Sequence, residues 1–147
     1  MEAQEQVNRI HFKDADVMVV GRRGWHPGLM GPVAADLVER YRRPAIAVAL
    51  GTDSGVGSGR SLTPFNLYEA LRACEGILLR YGGHANACGL TLRPADLERF
   101  REQINRHAKG TASRIPPSPT LLLDAEVSLR QLTPVLAASL KRCAPFG

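Results

Sequence analysis

Short β-branched apolar runs alternate with stretches of helical period along most of this chain, and that alternation limits the folds open to it. Residues Asp16 to Val20 read Asp-Val-Met-Val-Val and stop at Gly21, as a buried strand does. From Leu29 to Arg42, apolar residues recur at Met30, Val33, Ala34, Leu37, Val38 and Tyr41, which is helical spacing. Pro32 is compatible with that helix only in its first turn, where a missing N–H costs nothing. Pro44 punctuates the end, and Ala45 to Leu50 forms a second apolar strand.

A glycine-rich loop is predicted over Gly51 to Gly59, leading into Arg60-Ser61-Leu62. Asn66 is placed to cap a helix through Leu67, Ala70, Leu71 and Cys74, with Glu69 at the third position of a capping box. A sharp bend is predicted at Gly82-Gly83-His84, followed by small residues and a strand over Cys88 to Leu92. Pro94 opens a helix to His107, with Asp96 and Glu98 in its first turn. The expected fold is α/β, a central mixed β-sheet flanked by helices.

The domain organisation read from this pattern is a tail over 1–15, a domain over 16–110, a Gly/Ser/Pro-rich linker over 111–119 and an appendage over 120–147. The appendage is predicted to hold a strand from Thr120 to Val127 and a helix from Leu132 to Arg142. That is too little chain for a core of its own. Ala144-Pro145-Phe146-Gly147 therefore reads as a cut inside a further domain.

The 147 residues suffice for one compact domain that hides roughly two-thirds of its unfolded surface. A net charge of +5 favours polyanions without selecting one. Cys74, Cys88 and Cys143 lack Cys-x-x-Cys spacing, which argues against a zinc knuckle and fits a reducing cytoplasm. The polar start Met1-Glu2-Ala3-Gln4-Glu5-Gln6 is neither a signal peptide nor a membrane span.

Arg60 carries a planar fork of donors that matches phosphate oxygens, and Ser58 and Ser61 add hydroxyls beside Gly59. The competing reading is a turn whose arginine faces water. The run Gly55-x-Gly57-x-Gly59 has neither dinucleotide-fingerprint nor P-loop spacing. His84, after Gly82 and Gly83, is suited to donate to a phosphate or a scissile oxygen, or else is a turn histidine tied to a backbone carbonyl. Trp25 and His26 stand before a helix start. Trp25 is suited to stack on a base or to plug the edge of the core. The aspartates are scattered, and the chain supplies no two-metal carboxylate–histidine centre.

Five segments carry a resemblance: Gly24-Trp25-His26-Pro27-Gly28, Ser58-Gly59-Arg60-Ser61, Asn66-Leu67-Tyr68-Glu69-Ala70-Leu71, Gly82-Gly83-His84 and Ala144-Pro145-Phe146-Gly147. Taken in this order, the set resembles the C-terminal part of the bacterial RecJ family, exonucleases specific for single-stranded DNA. The resemblance implies a DHH-associated domain over about 16–110 and the opening of an oligonucleotide-binding domain from Thr120.

It also implies a division of labour. A DHH domain in cis, absent from this sequence, would hold Mn2+ or Mg2+ and activate the attacking water, so this chain would bind no cofactor itself. Ser58, Gly59, Arg60 and Ser61 would hold phosphate oxygens of a single-stranded DNA end. Gly82, Gly83 and His84 would wall the pocket facing the metals, with His84 in a supporting catalytic role. Trp25 and His26 would lie near the same cleft. The sequence departs from the family at Leu29-Met30-Gly31-Pro32 and at Cys88, where a small residue is usual.

Two rival readings stand beside this one. Relatives sharing the associated domain cleave short oligonucleotides or cyclic dinucleotides, but typically end after that domain. A binding module without catalysis is the other. It would bind single strands in a salt-dependent way and hydrolyse nothing.

Overall fold

The structure, a computed structural model, describes Ala3 and residues 15–109 and 125–144. The linker and the strand predicted to begin at Thr120 fall largely outside the described residues. Strand β1 spans Met18–Arg23 and is followed by a 3-10 turn, Pro27–Leu29, and helix α1, Met30–Tyr41. Strand β2 is Ala45–Leu50, β3 is Gly55–Arg60 and helix α2 is Leu67–Arg72. Strands β4, Leu78–His84, and β5, Ala87–Leu92, form a hairpin. A 3-10 turn at Pro94–Asp96 leads into α3, Leu97–Ala108, and in the appendage α4 spans Pro134–Lys141.

The five strands lie in the order β1-β2-β3-β5-β4, with β1 and β2 parallel and all other pairs antiparallel. The sheet is thus mixed and flanked by helices, as the alternation predicts. Pro32 sits in the first turn of α1 and does not delay its start. Asn66 Oδ1 accepts from the Glu69 N–H at 3.2 Å, while the Glu69 carboxylate pairs with Arg72 at 2.9 Å.

Three segments differ from expectation. Strand β1 does not stop at Gly21 but runs on to Arg23, paired with β2 along its whole length. The glycine-rich stretch is not a loop up to Gly59, because Gly55, Gly57 and Gly59 are the buried face of strand β3. A Cβ on Gly59 would meet Cys88 Sγ at 2.7 Å and Leu67 Cδ2 at 2.8 Å, so neighbouring side chains occupy the space a side chain would need. Gly82-Gly83-His84 is likewise not a bend. It ends strand β4, and the turn falls at Ala85-Asn86. Gly83 has φ +135°, and a Cβ there would lie 2.4 Å from the Ala87 carbonyl oxygen. Glycine is depleted in strands, which is why pattern reading missed both.

The pleat divides the apolar residues into two cores. Ile46, Val48, Cys88, Leu90 and Leu92 face α2 and α3, packing with Leu67, Leu71, Phe100 and Ile104. Met18, Val20, Ala45, Ala47 and Ala49 face α1, packing with Met30, Ala34, Leu37 and Val38. The alanines of β2 let α1 approach closely.

Helix α3 also finishes the sheet edge. Asn105 Oδ1 accepts from the Val17 N–H at 2.9 Å, and its Nδ2 donates to the Val17 carbonyl at 3.0 Å. Arg101 Nε donates to the Val19 carbonyl at 2.7 Å. These side chains stand in for a sixth strand and protect an edge that would otherwise offer open ladder positions.

Two stability outcomes follow from this packing. Gly59→Ala should destabilise the fold by about 1–3 kcal/mol through overpacking, and Gly83→Ala by at least as much. Gly82→Ala, whose Cβ meets nothing within 4 Å, should stay within about 0.5 kcal/mol. Urea denaturation midpoints rank the three. Asn105→Leu should cost about 1–3 kcal/mol by orphaning the Val17 groups. Faster amide exchange at Val17 and Val19 would report it, and unchanged exchange there would refute the edge-capping role.

Candidate functional site

The strand register brings together residues that are distant in sequence. Met18 pairs with Ala45, Ala45 with Arg60, Arg60 with Ala87, and Ala87 with His84. Directly paired positions share a face. Arg60 and His84 therefore stand in one row on the α1 side of the sheet, with only Ala87 between them. Their Cα atoms are two inter-strand spacings apart, roughly 10 Å. The next row holds Ser58, Gly89 and Gly82.

Helix α1 lies mainly across β2 and β3 and makes few contacts with β5 and β4. His84 and Gly89 are exposed, and Ser58, Arg60, Gly82 and Ala87 are half-buried. The floor between Arg60 and His84 is thus built from small residues. A Cβ on Gly82 would meet nothing within 4 Å, and one on Gly89 only the Gly57 carbonyl at 3.9 Å. No neighbouring atom requires glycine at either position, and their bareness leaves backbone accessible to a ligand.

Arg60 is held in place before any ligand arrives. Its Nη1 donates to Ser58 Oγ at 3.1 Å and to the Gly59 carbonyl at 2.8 Å. Ser58 Oγ in turn donates to the Cys88 carbonyl at 3.4 Å. A Cβ on Gly31 of α1 would come within 3.0 Å of Arg60 Nη2, so the small residue makes room for the guanidinium. The remaining Arg60 donors have no acceptor among the described residues. The guanidinium is pre-oriented, and its free fork matches two oxygens of a phosphate. The His84 imidazole has no hydrogen-bond partner among the described residues either, so it is not the carbonyl-tied turn histidine of the alternative reading.

Other candidates from the sequence have structural roles here. Ser61 is buried, and its Oγ donates to the Phe65 carbonyl at 3.1 Å, inside the loop before α2. Its hydroxyl is therefore turned to the protein, not to an incoming phosphate. Gly59 and Gly83 are demanded by packing and by backbone conformation, and Gly59 lies on the opposite face from Arg60. His26 caps the 3-10 turn, its Nδ1 accepting from the Gly28 N–H at 3.1 Å. Trp25 packs against the α1-side core, as the core-edge reading has it. Neither is brought into the row of Arg60 and His84.

The hairpin tip that carries His84 is fastened on its other side. The Ser61 N–H donates to the Asn86 carbonyl and the Leu67 N–H to the Ala85 carbonyl, both at 2.9 Å. The strand end holding Arg60 and the turn beside His84 are thus one rigid unit.

Cys74 and Cys88 are buried thiols. Burial pushes Cys88 up to about 12 and Cys74 up to about 11, so both stay protonated near neutral pH. Among the described residues, no group of three His, Cys, Asp or Glu side chains could hold a metal ion. The row of Arg60 and His84 contains no carboxylate, so it does not fit a hard cation. Among the described residues, no helix is long and apolar enough to cross a membrane.

Sequence reasoning passed over one residue of this face. Arg80 lies four positions before His84 on β4, paired with Thr91 on β5, and is exposed. Reading Leu78 to His84 as a strand would have placed it on the side of His84, since alternate residues share a face.

The profile of the DHHA1 domain matches residues 14–110. The single-stranded-DNA-specific exonuclease RecJ of Bacillus subtilis (strain 168) is 36% identical over 136 residues, covering 91% of this chain and 17% of that protein. RecJ of Thermus thermophilus is 42% identical over 83 residues, covering 56% of this chain and 12% of its own length. The crystal structure of Thermus thermophilus RecJ in complex with Mn2+ superposes with a TM-score of 0.78 at 31% identity, covering 99% of this chain and 22% of that one. This chain spans less than a quarter of the length of each of these relatives. The match takes in all five strands and the three helices packed on them, and the chain belongs to the DHHA1 domain family.

Proposed function

We propose that this chain is the substrate-holding part of a metal-dependent 5′-to-3′ single-stranded-DNA exonuclease acting in DNA repair and recombination in the cytoplasm. The observation that carries this reading is the cross-strand row that puts a pre-oriented Arg60 and an unpartnered His84 on one open face. Arg60, steadied by Ser58, takes two phosphate oxygens of the strand end. His84 approaches the same phosphate from the other side of Ala87, as a hydrogen-bond donor in a supporting role. The bare backbone at Gly82 lets the strand lie close. Holding the end in one geometry is itself a catalytic contribution, because it removes orientational freedom before the chemical step.

Hydrolysis is assigned to a DHH domain in cis, outside these 147 residues, whose Mn2+ or Mg2+ would activate water when bound. The residues of this chain orient the phosphate and exclude competing poses.

Binding of a 5′-phosphorylated single-stranded oligonucleotide tests the reading. Arg60→Ala should weaken binding about 10- to 100-fold, the range for charge-assisted hydrogen bonds. The salt dependence should also flatten by roughly 0.7 in log–log slope, one phosphate contact fewer. Affinity and slope matching the unsubstituted chain would sink the Arg60 assignment.

Joined to a DHH domain, Arg60→Ala and His84→Ala should each lower the nuclease rate. Unchanged rates in both would leave a binding module with no part in cleavage. This chain alone should hydrolyse nothing when Mn2+ is added, as measured by release of mononucleotides. Release abolished by chelator would show that the metal centre does not reside in the DHH domain.

A further inference from the structure

The face that carries Arg60 and His84 continues along the strands to a third row, Val56 of β3, Thr91 of β5 and Arg80 of β4. There a shallow concavity of about 330 Å³ opens, lined among others by Val56, Arg80, Gly89 and Thr91. We propose that this groove is a second subsite for single-stranded DNA, in which Arg80 holds a phosphate further along the strand whose end sits at Arg60 and His84. The proposal rests on the reading of Arg60 and His84 as the end-holding row.

Charge is the first argument. Four arginines on other parts of the chain are matched with carboxylates, Arg40 with Asp36, Arg72 with Glu69, Arg93 with Asp96 and Arg101 with Glu98, whereas Arg23, Arg99 and Arg106 are exposed without an ion pair among the described residues, so the place of Arg80 on the face of Arg60 and His84 is what distinguishes it. Arg80 is exposed and has no such partner among the described residues. On β3, β5 and β4 this face contains Arg60, Arg80 and His84 and no acidic residue. Glu75, the carboxylate nearest in sequence to β4, accepts from the Tyr81 hydroxyl at 3.3 Å, and Tyr81 packs on the opposite core. An uncompensated basic stripe along a groove is the arrangement that tracks a nucleic-acid backbone.

Shape is the second. Between His84 and Arg80 lies Gly82, paired with Gly89, and neither glycine is required by its neighbours. The path from one basic side chain to the other therefore crosses bare backbone. His84 is four residue steps along the strand from Arg80, a rise of roughly 13 Å, enough for more than one nucleotide of extended chain. Val56 is 44% exposed at the groove wall, an apolar surface for a sugar or the face of a base. A mononucleotide held at Arg60 would not reach Arg80, and a longer strand would.

The test is the length dependence of binding, measured with 5′-phosphorylated mono-, di- and tetranucleotides of DNA. For the unsubstituted chain, affinity should rise steeply between mono- and tetranucleotide. Arg80→Gln should cut the tetranucleotide-to-mononucleotide affinity ratio about tenfold, with a salt slope smaller by roughly 0.7 for the tetranucleotide alone. Gly82→Val, which adds a side chain in open space, should lower the same ratio while leaving the denaturation midpoint in place.

A ratio and slope unchanged in Arg80→Gln would overturn the subsite. Equal losses for mono- and tetranucleotide would also overturn it, by placing Arg80 at the end-holding row. Failure of the underlying reading looks different: Arg60→Ala would then leave mononucleotide binding intact. No binding at any length by the unsubstituted chain overturns both.

Discussion

Strand β3 is the constraint on which the rest of the structure depends. It pairs antiparallel with β2 on one side and β5 on the other, so its register sets that of both halves of the sheet. Its pleat sends Gly55, Gly57 and Gly59 to the face covered by α2 and α3, and Val56, Ser58 and Arg60 to the other. A slip by one residue would drive Arg60 into the apolar core and expose the glycine row. The glycines make the register discriminating, because Cys88, Leu67 and Ile46 already fill the space beside Gly59. The same contacts that fix the fold therefore aim the arginine.

Asymmetric cover then turns this register into a site. One face of the sheet is shared by α2 and α3, while on the other, among the described helices, α1 lies over β2 and β3. The outer two strands keep their α1-side face open, and the residues there are small or basic. Burying bulky apolar side chains at those positions would strengthen an ordinary core, at about 1.5–3 kcal/mol each. Gly82, Ala87 and Gly89 forgo that stabilisation and leave backbone within reach. Rigidity comes from elsewhere, through the bonds from Ser61 to Asn86 and from Leu67 to Ala85 that tie the hairpin tip to the end of β3.

Much of this was legible in the sequence, and the exceptions share one cause. The β-branched strand at 16–20, the alanine-rich strand at 45–50 and the helices after residues 29 and 94 follow from periodicity alone. The Asn66 cap follows from residue type just ahead of a periodic run. Strands β3 and β4 were hidden because their glycines imitate a loop and a bend. In both, glycine answers a demand from outside the strand: core side chains at Gly59, and a close carbonyl with positive φ at Gly83. Neither neighbour is visible without the fold. The arginine and histidine were found by residue type, but their shared row was not, because it passes through β5. Ser61, His26 and Trp25 were attractive as polar or aromatic groups beside glycines, and the structure gives each a local bond or a packing contact.

Two kinds of glycine thus occupy neighbouring positions, and only their surroundings tell them apart. Gly83 is fixed by its own backbone, since any side chain would strike the Ala87 carbonyl. Gly82, one residue earlier, faces open space and could carry a side chain at no cost to the fold. Stability explains the first and is indifferent to the second. What would select against a side chain at Gly82 is something that must pass over it, between the guanidinium of Arg60 and the edge strand that carries His84 and Arg80. A flexible polyanion lying along β4 meets that description. A compact anion held by Arg60 alone would need Ser58 and Gly31, and would be indifferent to Gly82 and Arg80.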